Sequence, residues 1–101
     1  MIFDDSFFGG VDSKIINKEK AKARDLRKTQ WWHNKLAQET CYYCGRHTEK
    51  KELTMDHVVP LARGGKSSKG NIVASCKTCN TKKRTMLPLE WQEYMESLDK
   101  K

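Results

Sequence analysis

Two Cys-x-x-Cys pairs, Cys41/Cys44 and Cys76/Cys79, limit what a 101-residue chain can become. A domain of that size buries too little apolar surface to be robust on its core alone, so a staple is expected. Both sulfurs of a Cys-x-x-Cys turn can reach one ion, and four thiolates complete a tetrahedral zinc site. Disulfides and redox dithiols are the other uses of such pairs. Disulfides belong to oxidising compartments, whereas the first residues, MIFDDSFFGG, carry acids where a secretory signal carries Lys or Arg. No apolar run approaches the roughly 20 residues that cross a bilayer. The sequence therefore reads as an intracellular, cytoplasmic chain with no membrane contact and no thioredoxin-like pattern, and zinc is the reading of the four cysteines. With every position filled by sulfur, such an ion has no place for water and is structural.

The 31 residues between the pairs, 45–75, exceed the spacing of a simple zinc ribbon, which calls for an inserted functional element. The rest of the chain arranges itself around that core in one folded domain. Residues 1–13 read as an arm able to dock its Phe side chains, and 14–40 as a long basic helix capped near Asp12 or Ser13, since no Gly or Pro interrupts 14–38. Ile16, Ala23, Leu26, His33 and Ala37 give that helix a thin apolar face, and one indole of Trp31-Trp32 should pack on the domain. In the core, 41–86, a strand is expected over 53–61, a flexible Gly/Lys/Ser loop over 63–70, a second strand over 72–75 and a helix over 76–84. Pro88 opens a C-terminal helix within 87–101, whose Leu87, Trp91, Tyr94, Met95 and Leu98 form a core stripe while Glu90, Glu93 and Glu96 face water.

The net charge of +7 is unevenly placed. Lys and Arg outnumber Asp and Glu by 8 to 2 over 14–38 and by 10 to 4 over 39–87, while both ends are acidic. A basic excess gathered in this way suits a polyanion, although solvated surface is the commoner fate of charge runs.

Inside the insertion, Asp56-His57 stands among Leu53, Met55, Val58 and Val59, where an unpaired carboxylate and imidazole would be costly to bury. Taken singly, the pair could be a satisfied polar contact at a strand end, Asn71 a turn former and Asn80 a helix cap. Taken in order, "MDHVVPLARGG", "GNIVASCKTCN" and the following "TKK" resemble the HNH endonucleases of the ββα-metal superfamily in their zinc-ribbon form, over residues 41 to about 84. The resemblance implies a small α+β fold with a ββα-metal core on a four-cysteine zinc site, and a bacterial or bacteriophage source.

It also implies roles. His57 corresponds to the general base, and Asn71 to the residue that orients that imidazole and ties down the loop. Asp56 and Asn80 correspond to the ligands of a catalytic Mg²⁺ or Mn²⁺ ion. The family's last position is often His; Asn80 makes this an HNN variant, a harder site that should favour Mg²⁺ over nickel, cobalt or zinc. The chemistry suits these types, because a neutral imidazole is a base near pH 7 and two oxygen ligands leave octahedral positions for water and phosphate. One difficulty is geometric: neighbours in a regular strand point to opposite faces, so Asp56 and His57 share a site only where the strand ends or distorts.

Lys82, Lys83 and Arg84 beside Asn80, Arg63 and Lys66 on the loop, and Lys14, Lys18 and Lys22 one turn apart on the first helix are candidates for DNA phosphates. The expected activity is phosphodiester hydrolysis that nicks double-stranded DNA with low sequence specificity, by a monomer or homodimer. The alternative is a noncatalytic zinc-ribbon module that binds nucleic acid through its basic face.

Overall fold

The computed structural model describes residues 11–99; the docking of Phe3, Phe7 and Phe8 lies outside the described residues. Asp12 holds an extended backbone and its Oδ1 accepts the Lys14 N–H at 2.7 Å, which caps α1, Ser13–Arg27. The helical stretch then divides. Thr29 is extended (φ −89°, ψ 155°), its hydroxyl donates to the Leu26 carbonyl at 2.7 Å, and its Oγ1 accepts the Trp32 N–H. One side chain thus ends α1 and caps α2, Gln30–Ala37. The break resets the helical phase: Ala23 and Trp32 are buried, while His33 and Ala37, expected on the same stripe, are exposed.

β1, Leu53–His57, and β2, Ile72–Cys76, form a two-stranded antiparallel sheet in which Leu53 pairs with Cys76 and His57 with Ile72. β1 stops at His57, short of the expected 53–61, because Pro60 lacks a donor and the chain bends at Val58 and Val59. α3, Lys77–Lys83, and α4, Pro88–Asp99, complete a small α+β fold with the ββα order expected of the core. No helix among the described residues is long and apolar enough to cross a membrane.

Alternation along the strands gives the sheet two different faces. Leu53, Met55, Ile72 and Ala74 pack on α1 and α2 through Leu26, Trp31, Trp32 and Leu36. A second cluster joins Cys41 and Cys79 to Trp91 of α4, with Tyr43, Tyr94 and Met95 around it. Tyr43, Trp91 and Tyr94 stack in sequence at centroid distances of 5.4 and 5.6 Å. Of the C-terminal stripe, Leu98 stays 40% exposed.

Candidate active site and metal centre

The four sulfurs of Cys41, Cys44, Cys76 and Cys79 lie within 4.8 Å of one another. The first pair sits on a knuckle: Gly45 N–H bonds the Cys41 carbonyl at 2.9 Å, Cys41 N–H bonds the Arg46 carbonyl at 3.0 Å, and Gly45 takes φ +72° to close the turn. Cys76 caps α3 through an N–H···S bond from Cys79 at 3.4 Å, which brings the second pair to the first. Burial pushes the Cys41 thiol up, but N–H groups of Cys44, Cys76 and Tyr43 outweigh it and bring it down to about 7. Burial and the neighbouring sulfurs push Cys79 the other way. Four sulfurs this close cannot all ionise without a cation among them, and a tetrahedral zinc ion satisfies all four.

Asp56 is 7% exposed and points to the face of β1 that meets α3. Its Oδ2 accepts the Tyr43 hydroxyl at 2.5 Å and pairs with Lys83 Nζ at 3.2 Å. Burial and this contact with Asp56 raise Tyr43 far above the usual phenol range, so the hydroxyl keeps its proton and donates it. Lys83, expected at a DNA backbone, is instead fully buried: its ammonium also donates to the His57 carbonyl at 3.1 Å and lies 5.6 Å above the Tyr43 ring. Its place on the inner side of α3, three residues after Asn80, turns it from solvent toward the carboxylate.

Asn80 reaches the same face. Its Nδ2 donates at 2.8 Å to Thr54 Oγ1, whose own proton goes to the Ser75 carbonyl at 3.0 Å. That chain fixes the amide orientation and turns Oδ1 away from Thr54. Asp56 Oδ1 and Asn80 Oδ1 are the two oxygens these residues can offer a cation.

His57 stands on the opposite face, with Met55, against α1. Its Nε2 lies 2.9 Å from Ser67 Oγ, and the ring lines a cleft of about 380 Å³ together with Lys20, Arg24, Arg27 and Leu61. Burial holds His57 below the usual imidazole value of 6.5, with Arg27 and Lys83 pressing the same way and Asp56 and Glu19 opposing. The ring is therefore neutral near pH 7.

Asn71 bonds the loop and leaves the imidazole alone. Its Oδ1 accepts the Val59 N–H at 2.9 Å, and its Nδ2 donates to the Val59 and Lys66 carbonyls at 3.0 and 2.9 Å. With Val58 N–H on the Asn71 carbonyl at 2.9 Å, the chain after His57 is zipped to the loop before β2. The loop, flexible by its Gly/Lys/Ser composition, is thus pinned at this end. Gly65 passes so close to Val59 that a Cβ would meet the Val59 oxygen at 1.7 Å.

The remaining basic candidates divide. Lys14, Lys18, Lys22, Lys66, Lys82 and Arg84 are exposed, although Lys22 pairs with Glu19 at 3.2 Å. Arg63 grips both Glu90 oxygens at 3.2 and 3.3 Å and the Thr85 carbonyl, tying the loop to α4. Sequence reasoning missed Tyr43, Ser67 and Glu19, and it missed Lys20, Arg24 and Arg27 beside His57. A signal for Glu19 existed: it precedes Ala23 and Leu26 by four and seven residues, an acid on an otherwise apolar stripe.

A family model described as HNH endonuclease matches residues 41–94, from Cys41 into α4. No curated protein matches the chain. The matched segment exceeds half of the sequence and contains the cysteine cluster, the sheet and α3, and on that basis the chain belongs to the HNH endonuclease family.

Proposed function

We propose that this protein is a metal-dependent endonuclease that nicks double-stranded DNA with low sequence specificity, with His57 as general base and Asp56 and Asn80 holding Mg²⁺ or Mn²⁺. The observation that carries the reading is the half-buried His57 imidazole, which lies within the segment matched as an HNH endonuclease and lines a cleft with Lys20, Arg24 and Arg27 of α1. One carboxylate oxygen and one amide oxygen are hard donors that fit Mg²⁺ or Mn²⁺ and leave most coordination positions for water and phosphate. A cation bound there supplies charge stabilisation to the phosphoryl oxygen and the departing 3′ oxygen.

The protein's own groups divide the remaining work. Lys20, Arg24 and Arg27 hold the phosphate backbone along α1, and His57 takes the proton of the attacking water. Asp56 and His57 are the last two residues of β1, so a phosphodiester laid across the strand end meets both faces. Asn71 holds that end in place through Val59. Phosphate contacts carry no base sequence, which gives the low specificity, and one site per chain cuts one strand per encounter.

One observation favours a noncatalytic nucleic-acid-binding module: an Asp56 oxygen is already engaged by Lys83 and Tyr43. Incubation of supercoiled plasmid with Mg²⁺ or Mn²⁺ separates the two. Wild type should give open circles, and His57→Ala should bind the plasmid without nicking it. Equal nicking by both removes His57 from its role, and binding without nicking by wild type supports the module.

A further inference from the structure

We propose that Ser67 and Glu19 are positioning residues that fix His57 in the tautomer carrying its proton on Nε2, so that Nδ1 is the atom that receives the proton of the attacking water. The assignment of the proton follows from counting hydrogens; its use in catalysis rests on the reading of His57 as general base.

Ser67 Oγ has one proton and two neighbours. It lies 2.5 Å from the Glu19 main-chain oxygen, which can only accept, and 2.9 Å from His57 Nε2. If the hydroxyl turned its proton toward the ring, two oxygens would face each other at 2.5 Å with nothing between them. The proton therefore goes to the Glu19 carbonyl, Oγ accepts from the ring, and Nε2 carries the hydrogen. A neutral imidazole then has its lone pair on Nδ1. Among the described residues no hydrogen bond engages Nδ1, which leaves its lone pair for a water. The ring borders the cleft of Lys20, Arg24 and Arg27, where a phosphate and its attacking water would arrive.

The serine is held as firmly as the ring. Ser67 is 9% exposed and its N–H donates to Glu19 Oε1 at 2.6 Å; Glu19 is 4% exposed, and its other oxygen pairs with Lys22. That N–H is the chief reason the Glu19 carboxyl stays below its usual range. One glutamate on α1 thus takes both the amide and the hydroxyl of Ser67. α1 lies outside the segment that matches the family model, so the imidazole is set by a helix added to the HNH core.

The test uses the full chain with its zinc bound and ¹⁵N-labelled histidine. At about pH 8 the ring is neutral, and the long-range ¹H–¹⁵N pattern of His57 reports which nitrogen is protonated. Wild type should give the pattern of a single Nε2–H tautomer, Ser67→Ala a mixture of the two, and Ser67→Thr, which keeps the hydroxyl, the wild-type pattern. Nicking by Ser67→Ala should fall roughly 10- to 100-fold with unchanged DNA affinity, the size usual for outer hydrogen-bond partners, and recover in Ser67→Thr. An Nδ1–H or averaged pattern in wild type overturns the proposal even if no variant folds. An unchanged pattern in a folded Ser67→Ala overturns it too. If His57→Ala nicks like wild type while wild type shows Nε2–H, the tautomer assignment stands and the catalytic reading falls.

Discussion

Replacing Lys83 by Met removes a fully buried ammonium and keeps most of its volume. Asp56, itself 7% exposed, is left with the Tyr43 hydroxyl alone, and the His57 carbonyl loses its donor. Breaking a buried pair from one side costs roughly 3–5 kcal/mol, because the surviving charge is uncompensated. At about 4–8 °C per kcal/mol for a domain of this size, the melting temperature should fall by at least about 12 °C. Asp56→Asn should cost a similar amount from the other side. The double variant removes both charges and keeps an acceptor for Tyr43, so its loss should fall short of the sum by about 2 kcal/mol or more. Urea unfolding followed by the fluorescence of Trp32 and Trp91 measures all four proteins, with zinc held at one excess concentration because metal binding adds to the apparent stability. Exposed Lys82, next in the chain, is the control, and its replacement by Met should stay within about 0.5 kcal/mol. A Lys83→Met protein within about 1 kcal/mol of wild type, or strictly additive single losses, would refute the buried pair.

Zinc removal by a strong chelator, or Cys41→Ser, should abolish the cooperative unfolding transition, and metal analysis should give one zinc per chain; a chelated protein that melts like wild type rules out the structural ion. Gly65→Ala should cost more than about 2 kcal/mol because its Cβ would strike the Val59 oxygen at 1.7 Å, whereas Gly70→Ala, which meets open space, should stay within about 1 kcal/mol; equal urea midpoints would refute the close approach. The nicking rate should rise with pH to a midpoint below 6.5, since burial lowers His57 and the base must be neutral, and a midpoint above 6.5 contradicts this. The same sign governs stability: the unfolded chain binds the proton more readily than the folded one, so this group makes stability fall as pH drops from 6.5 toward the lower folded value.

The cysteine cluster and the strand alternation were legible because a Cys-x-x-Cys turn and a pleat are decided within a few residues, whereas the ordered "DH", Asn and "CN" positions were legible only through their resemblance to the HNH endonucleases. The separation of Asp56 and His57 onto two faces follows from the same alternation. What the sequence hid was tertiary. "CNTKKR" reads as a solvated basic run, and only the packing of α3 against β1 shows that Lys83 lies inside and Lys82 outside. Ser67 and Glu19 meet across 48 residues, a distance no local pattern spans. The break at Thr29 had a local cause, a side-chain hydroxyl that can cap, but helix formers on both sides masked it.

The two faces of β1 are fastened by different parts of the chain, and this separates what the cysteine cluster does from what α1 does. Tyr43 lies between Cys41 and Cys44, while Asn80 and Lys83 follow Cys79 on α3; each of these three groups is therefore held within four residues of a cysteine of the cluster. The His57 face depends on Glu19 and Ser67, which are far in sequence from any cysteine. Loosening the sulfur cluster should thus first disturb the oxygens offered to a divalent ion, through Tyr43 and α3. Loosening α1 should first free the imidazole. Sulfur chemistry and helix packing thus hold Asp56 and His57 independently, and in the proposed site only the short strand between them, pinned at its end by Asn71, would bring the two to the same phosphate.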